Sequence, residues 1–327
     1  MIDSPTPALR REKGLHPRNR HRQGYDFAAL ARHLPVLKKH LVTTAYGQLS
    51  IDFAKPAAVK ALNQALLGYH YGIRHWDIPA GYLCPPVPGR EDYLHQLADL
   101  LSEGGTPPKG SQVTALDIGT GANGIYPLLG AAIYGWHFVG SDINRKALQH
   151  LQPILAHNPK LAKCISLRLQ PKPQQIFAEV IQPGESFDVT LCNPPFHRSA
   201  AEASQGSQRK LRNLAANRGV KAAPKHEAKS PLLNFGGQAN ELWCSGGEAG
   251  FLQRMIHESK HYAAQVLWFT SLVSKAEHLP TCKRWLAQQQ VQAVKVLEMT
   301  QGNKQTRILA WSFLDEKSRR SWRRLKV

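Results

Sequence analysis

The sequence predicts an α/β protein: a doubly wound, mostly parallel sheet with an antiparallel hairpin at one edge, preceded by a helical N-terminal module. Three observations carry that prediction. From residue 113 onward short apolar runs alternate with amphipathic stretches, as in "VTALDI", "IYPLLGAAIYG", "HFVGSD" and "RKALQHLQPILAHN". Such alternation feeds each strand through a helix to a parallel neighbour. The first strand runs into a turn holding Gly119, Gly121 and Gly124, and the fourth, "FDVTLC", stops at two consecutive prolines. Proline lacks the N–H that a ladder needs, so the chain must leave the sheet at Pro194 and Pro195.

In chain order, residues 1–24 hold Arg10, Arg11, Lys13, Arg18, Arg20 and Arg22 in a polar setting and read as a flexible basic arm. Residues 25–110 form the helical module and its linker. Within it "FAALARHLPVLKKHL", "PAAVKALNQALLGYHYG" and "EDYLHQLADLLSEGG" repeat apolar residues every three or four positions, the spacing of one helix face. Pro56 suits a first helical turn and Gly104 a stop. "WDIPAGYLCPPVPGR" is too rich in Pro and Gly for regular structure and reads as a long loop. Residues 111–315 carry the alternating pattern: "ISLRL" continues it as a strand and "PQQIFAEVI" as a short helix before "FDVTLC". After an insertion over residues 197–240 come "EAGFLQRMIHESKHYA" (helix), "QVLWFTSLV" (strand) and "HLPTCKRWLAQQQ" (helix). "VQAVKVLEM" and "TRILAWSF" then follow with no helix between them, which makes them the edge hairpin. Residues 316–327 are a basic tail, with Trp322 available to stack on a base.

Composition narrows the partners. Hydrophobic residues make up 42% and charged residues 20% of the 327, so wholesale disorder is excluded. Lys and Arg number 42 against 23 acidic residues, a net charge of +19 that calls for a polyanionic partner. No apolar run approaches the roughly 20 residues of a membrane span, and the basic N-terminus has no apolar core of a signal peptide. Nucleic acid in the cytoplasm is therefore expected, with no membrane. Cys84, Cys164, Cys192, Cys244 and Cys282 are scattered, with no metal-ligand spacing, so no metal is expected. Nothing in the pattern implies an oligomer.

Glycine lets the chain turn sharply after the first strand and lets a ligand approach the backbone. Asp142, ending the second strand, stands at the right distance to accept from ribose hydroxyls. Those two features suit a nicotinamide enzyme and a methyltransferase equally. "NPPF" (Asn193, Pro194, Pro195, Phe196) separates them, because no hydride-acceptor site accompanies it. It resembles the turn of amino-methyltransferases that use S-adenosylmethionine to modify adenine N6, cytosine N4 or glutamine. An exocyclic amine on a purine is a poor nucleophile, since its lone pair is delocalised into the ring. The Asn193 side-chain oxygen and the Pro194 carbonyl are each suited to accept one N–H of that amine, favouring a more tetrahedral nitrogen. Phe196 would stack on a base that has left its helix. The basic insertion, with Arg209, Lys210 and Arg212, follows directly and reads as substrate grip.

A closer resemblance rests on "LHPRNRH", "WDIP", "YLCPPVPGREDYLHQLADLL", "LDIGTGANGIYPLLG", "LCNPPFH", "QRKLRNL", "LNFGGQANELWCSGGE" and "WFTSLVSK". Over about residues 13 to 313 the chain is similar to the bacterial 23S ribosomal RNA (adenine-N6) methyltransferases of the RlmF type, which act at adenine 1618. The resemblance implies a Rossmann-like methyltransferase sheet, S-adenosylmethionine as methyl donor, and 23S ribosomal RNA or a large-subunit assembly intermediate as partner. It implies that Arg90 reaches the cofactor carboxylate, that Asp117, Gly119, Thr120, Gly121 and Asn123 line the methionine and adenosine pocket, and that Asp142 holds the ribose. Asn193, Pro194, Pro195 and Phe196 form the acceptor site. "CSGGE" (244–248) either closes over the adenine or caps the next helix through Glu248. Arg18, Arg20, Arg22, Arg209, Lys210 and Arg212 are phosphate contacts. Another structured RNA, DNA, a glutamine side chain, or a non-catalytic assembly role on the same scaffold remain the competing readings.

Overall fold

A computed structural model describes residues 14–199, 202, 239–301 and 304–322. Helix α1 (Phe27–His33) starts at Asp26, whose side chain accepts from the Ala29 N–H. Pro35 has no N–H to continue it, so the remainder of the expected helix becomes a 3-10 turn, Pro35–His40. An antiparallel hairpin follows, β1 (Leu41–Thr43) and β2 (Leu49–Ile51), where no strand was expected. Three-residue strands are too short for alternation to announce them. Helix α2 (Pro56–Tyr71) begins on a proline and ends at Gly72, whose φ of 67° suits glycine. Helix α3 (Val87–Ser102) begins four residues before "EDYLHQ".

The sheet is built from β3 (Thr114–Ile118), β4 (His137–Asp142), β5 (Ile165–Leu169), β6 (Phe187–Cys192), β7 (Val266–Val273), β8 (Ala293–Gln301) and β9 (Lys304–Ser312). Their order is β5-β4-β3-β6-β7-β9-β8. The first five strands in that order run parallel, and β9 pairs antiparallel with both β7 and β8. The expected doubly wound sheet and edge hairpin are both present. The order reverses between β3 and β6, which is where open α/β sheets form their ligand crevice. Helices α4 (Ile125–Tyr134), α5 (Arg145–Ala156), α6 (Pro159–Ala162), α7 (Ala239–Leu242), α8 (Gly247–Ser259), α9 (Leu279–Gln288) and α10 (Glu316–Ser321) complete the chain. No described helix is long and apolar enough to cross a membrane.

One hydrophobic cluster runs without a break from Leu30 and Leu66 through Leu94 and Leu97 to Leu129, Phe138 and Val189. The N-terminal helices therefore share a core with the sheet.

Three stretches differ from the sequence reading, each because of a partner distant in the chain. Residues 173–181 form turns instead of a helix. The Glu258 carboxylate, on α8, accepts the N–H groups of Ile176, Phe177 and Ala178 at 2.8 Å each, taking the donors a helix would use. Residues 14–24 are packed, not an extended arm: His16, Asn19 and His21 are buried against α3. The His16 N–H and the Asn19 amide both donate to Asp92 (3.0 and 2.6 Å), and Asn19 also donates to the Pro88 carbonyl. Trp322 is buried and donates its indole N–H to Asp188 at 3.0 Å, so its ring is not offered to a base.

Candidate active site

At the C-terminal ends of β3, β4 and β6 lies a cavity of about 830 Å³. Arg90, Gly119, Thr120, Gly121, Asn123, Asp142, Asn193 and Pro195 all line it. Residues separated by a hundred positions are thus brought to one space. Of the other expected residues, Asp117 is buried at the end of β3, Pro194 is buried within its turn and Phe196 is half-buried beside it in the chain. None of these three lines the cavity.

The glycine turn is held by the neighbouring strand. The Gly119 and Thr120 N–H groups both donate to the Ser141 carbonyl at 2.9 Å, and Gly121 N–H donates to Asp142 Oδ2 at 2.8 Å. Gly124 has φ of 53°, a conformation that favours glycine, and a Cβ there would come within 2.7 Å of Leu151 Cδ2 and force that side chain to shift. The Asn123 side-chain oxygen then accepts the Ile125 N–H at the start of α4.

Two carboxylates at this end of the sheet behave differently. Asp142 is buried, which pushes its pKa up, but N–H groups of Asn144 and Gly121 bind it and favour the charged form. Asp117 is 1% exposed, and neither of its oxygens has a hydrogen-bond partner among the described residues. Burial pushes its pKa up to about 7, the nearby Thr120 hydroxyl opposing the rise, Asp142 adding to it and Arg90 reducing it. Arg90 donates from Nη1 to the Tyr126 hydroxyl at 2.7 Å and lies over the Tyr126 ring, 5.4 Å from its centroid. Its Nε is buried with no partner among the described residues.

Across the cavity the proline turn presents Asn193. Its Oδ1 is buried and likewise has no partner among the described residues. Such a group costs free energy unless a donor arrives. The turn is fixed from below, since Cys192 N–H donates to the Tyr93 hydroxyl of α3, which also bonds Thr270 Oγ1 at 2.7 Å. From above, His197 forms an isolated bridge with Trp243, through His197 N–H to Leu242 O and Cys244 N–H to His197 O. Both ends of the basic insertion therefore meet at the cavity rim.

Several lining residues were not singled out from the sequence: Tyr126, Gln175, Glu241, Trp243, Phe251 and Arg254. Glu241 Oε2 accepts the Leu83 N–H at 3.1 Å, joining the loop before α3 to α7. The one available signal was the polar and aromatic character of "NELWCSGGE". Glu248 does not cap its own helix. Its carboxylate accepts from Ser274 N–H (2.7 Å), Lys275 N–H (3.3 Å) and His278 Nδ1 (2.7 Å), tying the start of α8 to the loop after β7.

Of the expected phosphate contacts, Arg209, Lys210 and Arg212 lie outside the described residues. The Arg18 guanidinium donates to the Tyr134 hydroxyl and the His95 carbonyl and pairs with Asp99 at 2.7 Å. Arg20 donates to the His70 carbonyl and lies over the Tyr71 ring. Arg22 is exposed and lines no part of the cavity.

Comparison with known proteins gives a consistent picture. A model of an RNA methyltransferase family matches residues 9–315. A Shewanella denitrificans protein named ribosomal RNA large subunit methyltransferase F is 60% identical over 96% of this chain and 87% of its own length. A Shewanella baltica protein of the same name is 58% identical over 97% of this chain and 86% of its own. Among solved structures, the catalytic domain of hMettl16 in complex with MAT2A 3'UTR hairpin 1 is similar, with TM-score 0.75 and 30% identity, covering 93% of this chain and 97% of that one. The N-terminal domain of human METTL16 in complex with SAH aligns with TM-score 0.71 and 28% identity, covering 93% and 100%.

Proposed function

Because this chain belongs to the RNA methyltransferase family, we propose that it methylates the N6 amine of one adenine, at position 1618, in 23S ribosomal RNA, in the cytoplasm. S-adenosylmethionine, when bound, supplies a methyl group made electrophilic by its sulfonium. The residues fit that cofactor. Asp117 has two oxygens without partners and suits its ammonium, while Arg90 has a donor without a partner and suits its carboxylate. Asp142 keeps lone pairs beyond its two backbone N–H bonds for the ribose hydroxyls.

The observation that carries the acceptor role is the buried, unpartnered Asn193 Oδ1 on the wall of the same cavity. It accepts one N–H of the target amine, and the Pro194 carbonyl accepts the other. The two bonds strengthen as positive charge develops on nitrogen, so they favour the transition state over the bound substrate. The amine sheds its proton after methyl transfer, and no general base is needed. Pro194 and Pro195 keep the turn stiff, which limits the reorganisation needed at the moment of reaction. Arg209, Lys210 and Arg212 in the insertion grip phosphates, and neutralising them should lower the salt slope of RNA binding by about 0.7 per lost contact.

The test is transfer of a tritiated methyl group to 23S ribosomal RNA from cells lacking this protein, followed by mapping of the labelled nucleotide. Label at N6 of a single adenine with wild-type protein, formed about 10²- to 10³-fold more slowly with Asn193→Ala, is expected. Turnover by Asn193→Ala at the wild-type rate would remove the acceptor role.

A further inference from the structure

We infer that a second groove, opening off the first cavity, is a subsite for the ribonucleotide that flanks the target adenine, read through its 2′-hydroxyl and phosphate. This rests on the function proposed above and concerns residues that function does not use.

The groove has a volume of about 470 Å³ and lies between the turn at 174–178 and the outer face of α8. Gln174, Gln175 and Arg254 belong to both cavities, so the two are continuous. A base held at Asn193 must have its neighbours leave through some opening. This one opens off the cavity that Asn193 lines.

Its chemistry suits a nucleotide. Gln175 Oε1 is buried and has no hydrogen-bond partner among the described residues, so it awaits a donor. A ribose 2′-hydroxyl is such a donor, and it is the group that distinguishes RNA from DNA. Facing it, Arg254, His257 and His261 stand at spacings of three and four along one face of α8 and its 3-10 extension. They cover roughly 10 Å of helix and offer N–H donors to phosphate oxygens. Glu258, the one carboxylate lining the groove among the described residues, would repel a phosphate. Its oxygens already accept the N–H groups of Ile176, Phe177 and Ala178, and those donors offset its charge. The contact that turned an expected helix into a turn thus also makes the groove acceptable to an anion.

The experiment uses the full-length protein and a 23S ribosomal RNA fragment carrying the target adenine, made with single 2′-deoxy substitutions on either side of it. For His257→Ala/His261→Ala, two exposed positions outside the first cavity, KM for the RNA should rise roughly tenfold with kcat unchanged. Wild-type protein should show a raised KM for one of the two deoxy substrates, and Gln175→Ala should abolish that difference. An unchanged KM in the histidine variant, equal KM for all three substrates with wild-type protein, or a deoxy effect that persists in Gln175→Ala would each overturn the subsite. Wild-type methylation in the same assay keeps such a failure distinct from failure of the proposed activity.

Discussion

Helix α3 borders two buried polar clusters that are satisfied to very different degrees. On one side Glu91, Asp92, His95 and Asp99 meet residues 16–21 of the N-terminal segment. Asp92 accepts from His16 and Asn19, His95 bonds the Tyr134 hydroxyl at 2.6 Å, and Glu91 lies 3.3 Å from His95. Burial alone would raise the Glu91 pKa, yet the His95 bond and charge outweigh it and hold it below the usual range. On the other side Arg90 and Asn193 line the cavity and Asp117 is buried at the end of β3, each with polar atoms that have no hydrogen-bond partner among the described residues. Both clusters hold charged groups, and charge alone does not tell them apart. In the first cluster Glu91 Oε1 and His95 Nε2 make no hydrogen bond but lie 3.3 Å from each other, so the protein's own groups face one another and fasten the chain; in the second the orphaned atoms of Arg90 and Asn193 face a cavity, and a ligand must meet them.

Substitutions on each side sharpen that contrast. The largest effect is expected for Asn193→Ala, which should lower kcat by about 10²- to 10³-fold while leaving the urea midpoint nearly unchanged, because no internal bond is lost. Glu91→Ala should do the reverse. It strips buried His95 and His21 of their carboxylate and should cost about 3–5 kcal/mol of stability by urea unfolding, with activity per folded molecule retained. A large loss of kcat at unchanged stability in Glu91→Ala would break the comparison.

Asp117→Asn should weaken S-adenosylmethionine binding about tenfold at pH 8, measured by calorimetry. The sign of its pH dependence follows from a folded pKa raised by burial to about 7. A cationic ammonium favours the ionised carboxylate, so wild-type affinity should climb as pH rises to about 7 and level off above it, whereas the Asn variant should show no such climb. In the ligand-free protein the buried carboxylate carries no penalty below about pH 4 and a growing one up to about 7. Asp117→Asn should therefore raise the Tm of ligand-free protein at pH 8. The smallest effect is expected for Arg18→Ala. Its pair with Asp99 is part-exposed, so the stability loss should stay near or below about 1 kcal/mol. RNA affinity lost without any change in Tm would mark Arg18 as a phosphate contact.

The parts of the site that were legible in the sequence are those whose chemistry is local. A glycine turn after a strand, a carboxylate ending the next strand and an Asn before two prolines each declare their geometry within a few residues. The sheet was legible for the same reason, since β7 is eight buried residues in a row and β8 and β9 have no room for a helix between them. What escaped depends on distant partners. Glu258 reaches back some eighty residues to reshape 176–178, Trp322 finds Asp188, and Asn19 finds Asp92. No window of sequence contains both halves of those bonds. The orphaned oxygen of Gln175 is equally invisible, because a missing partner is a property of the folded molecule.

Leu83, Pro85 and Arg90 wall the cavity from one side while β3, β4 and β6 wall it from the other, so the reaction chamber straddles the stretch at 104–110 that resembles a tether. Cutting the gene there would not separate a catalyst from an accessory. Neither half would own a complete pocket, and each would expose apolar surface meant for the other.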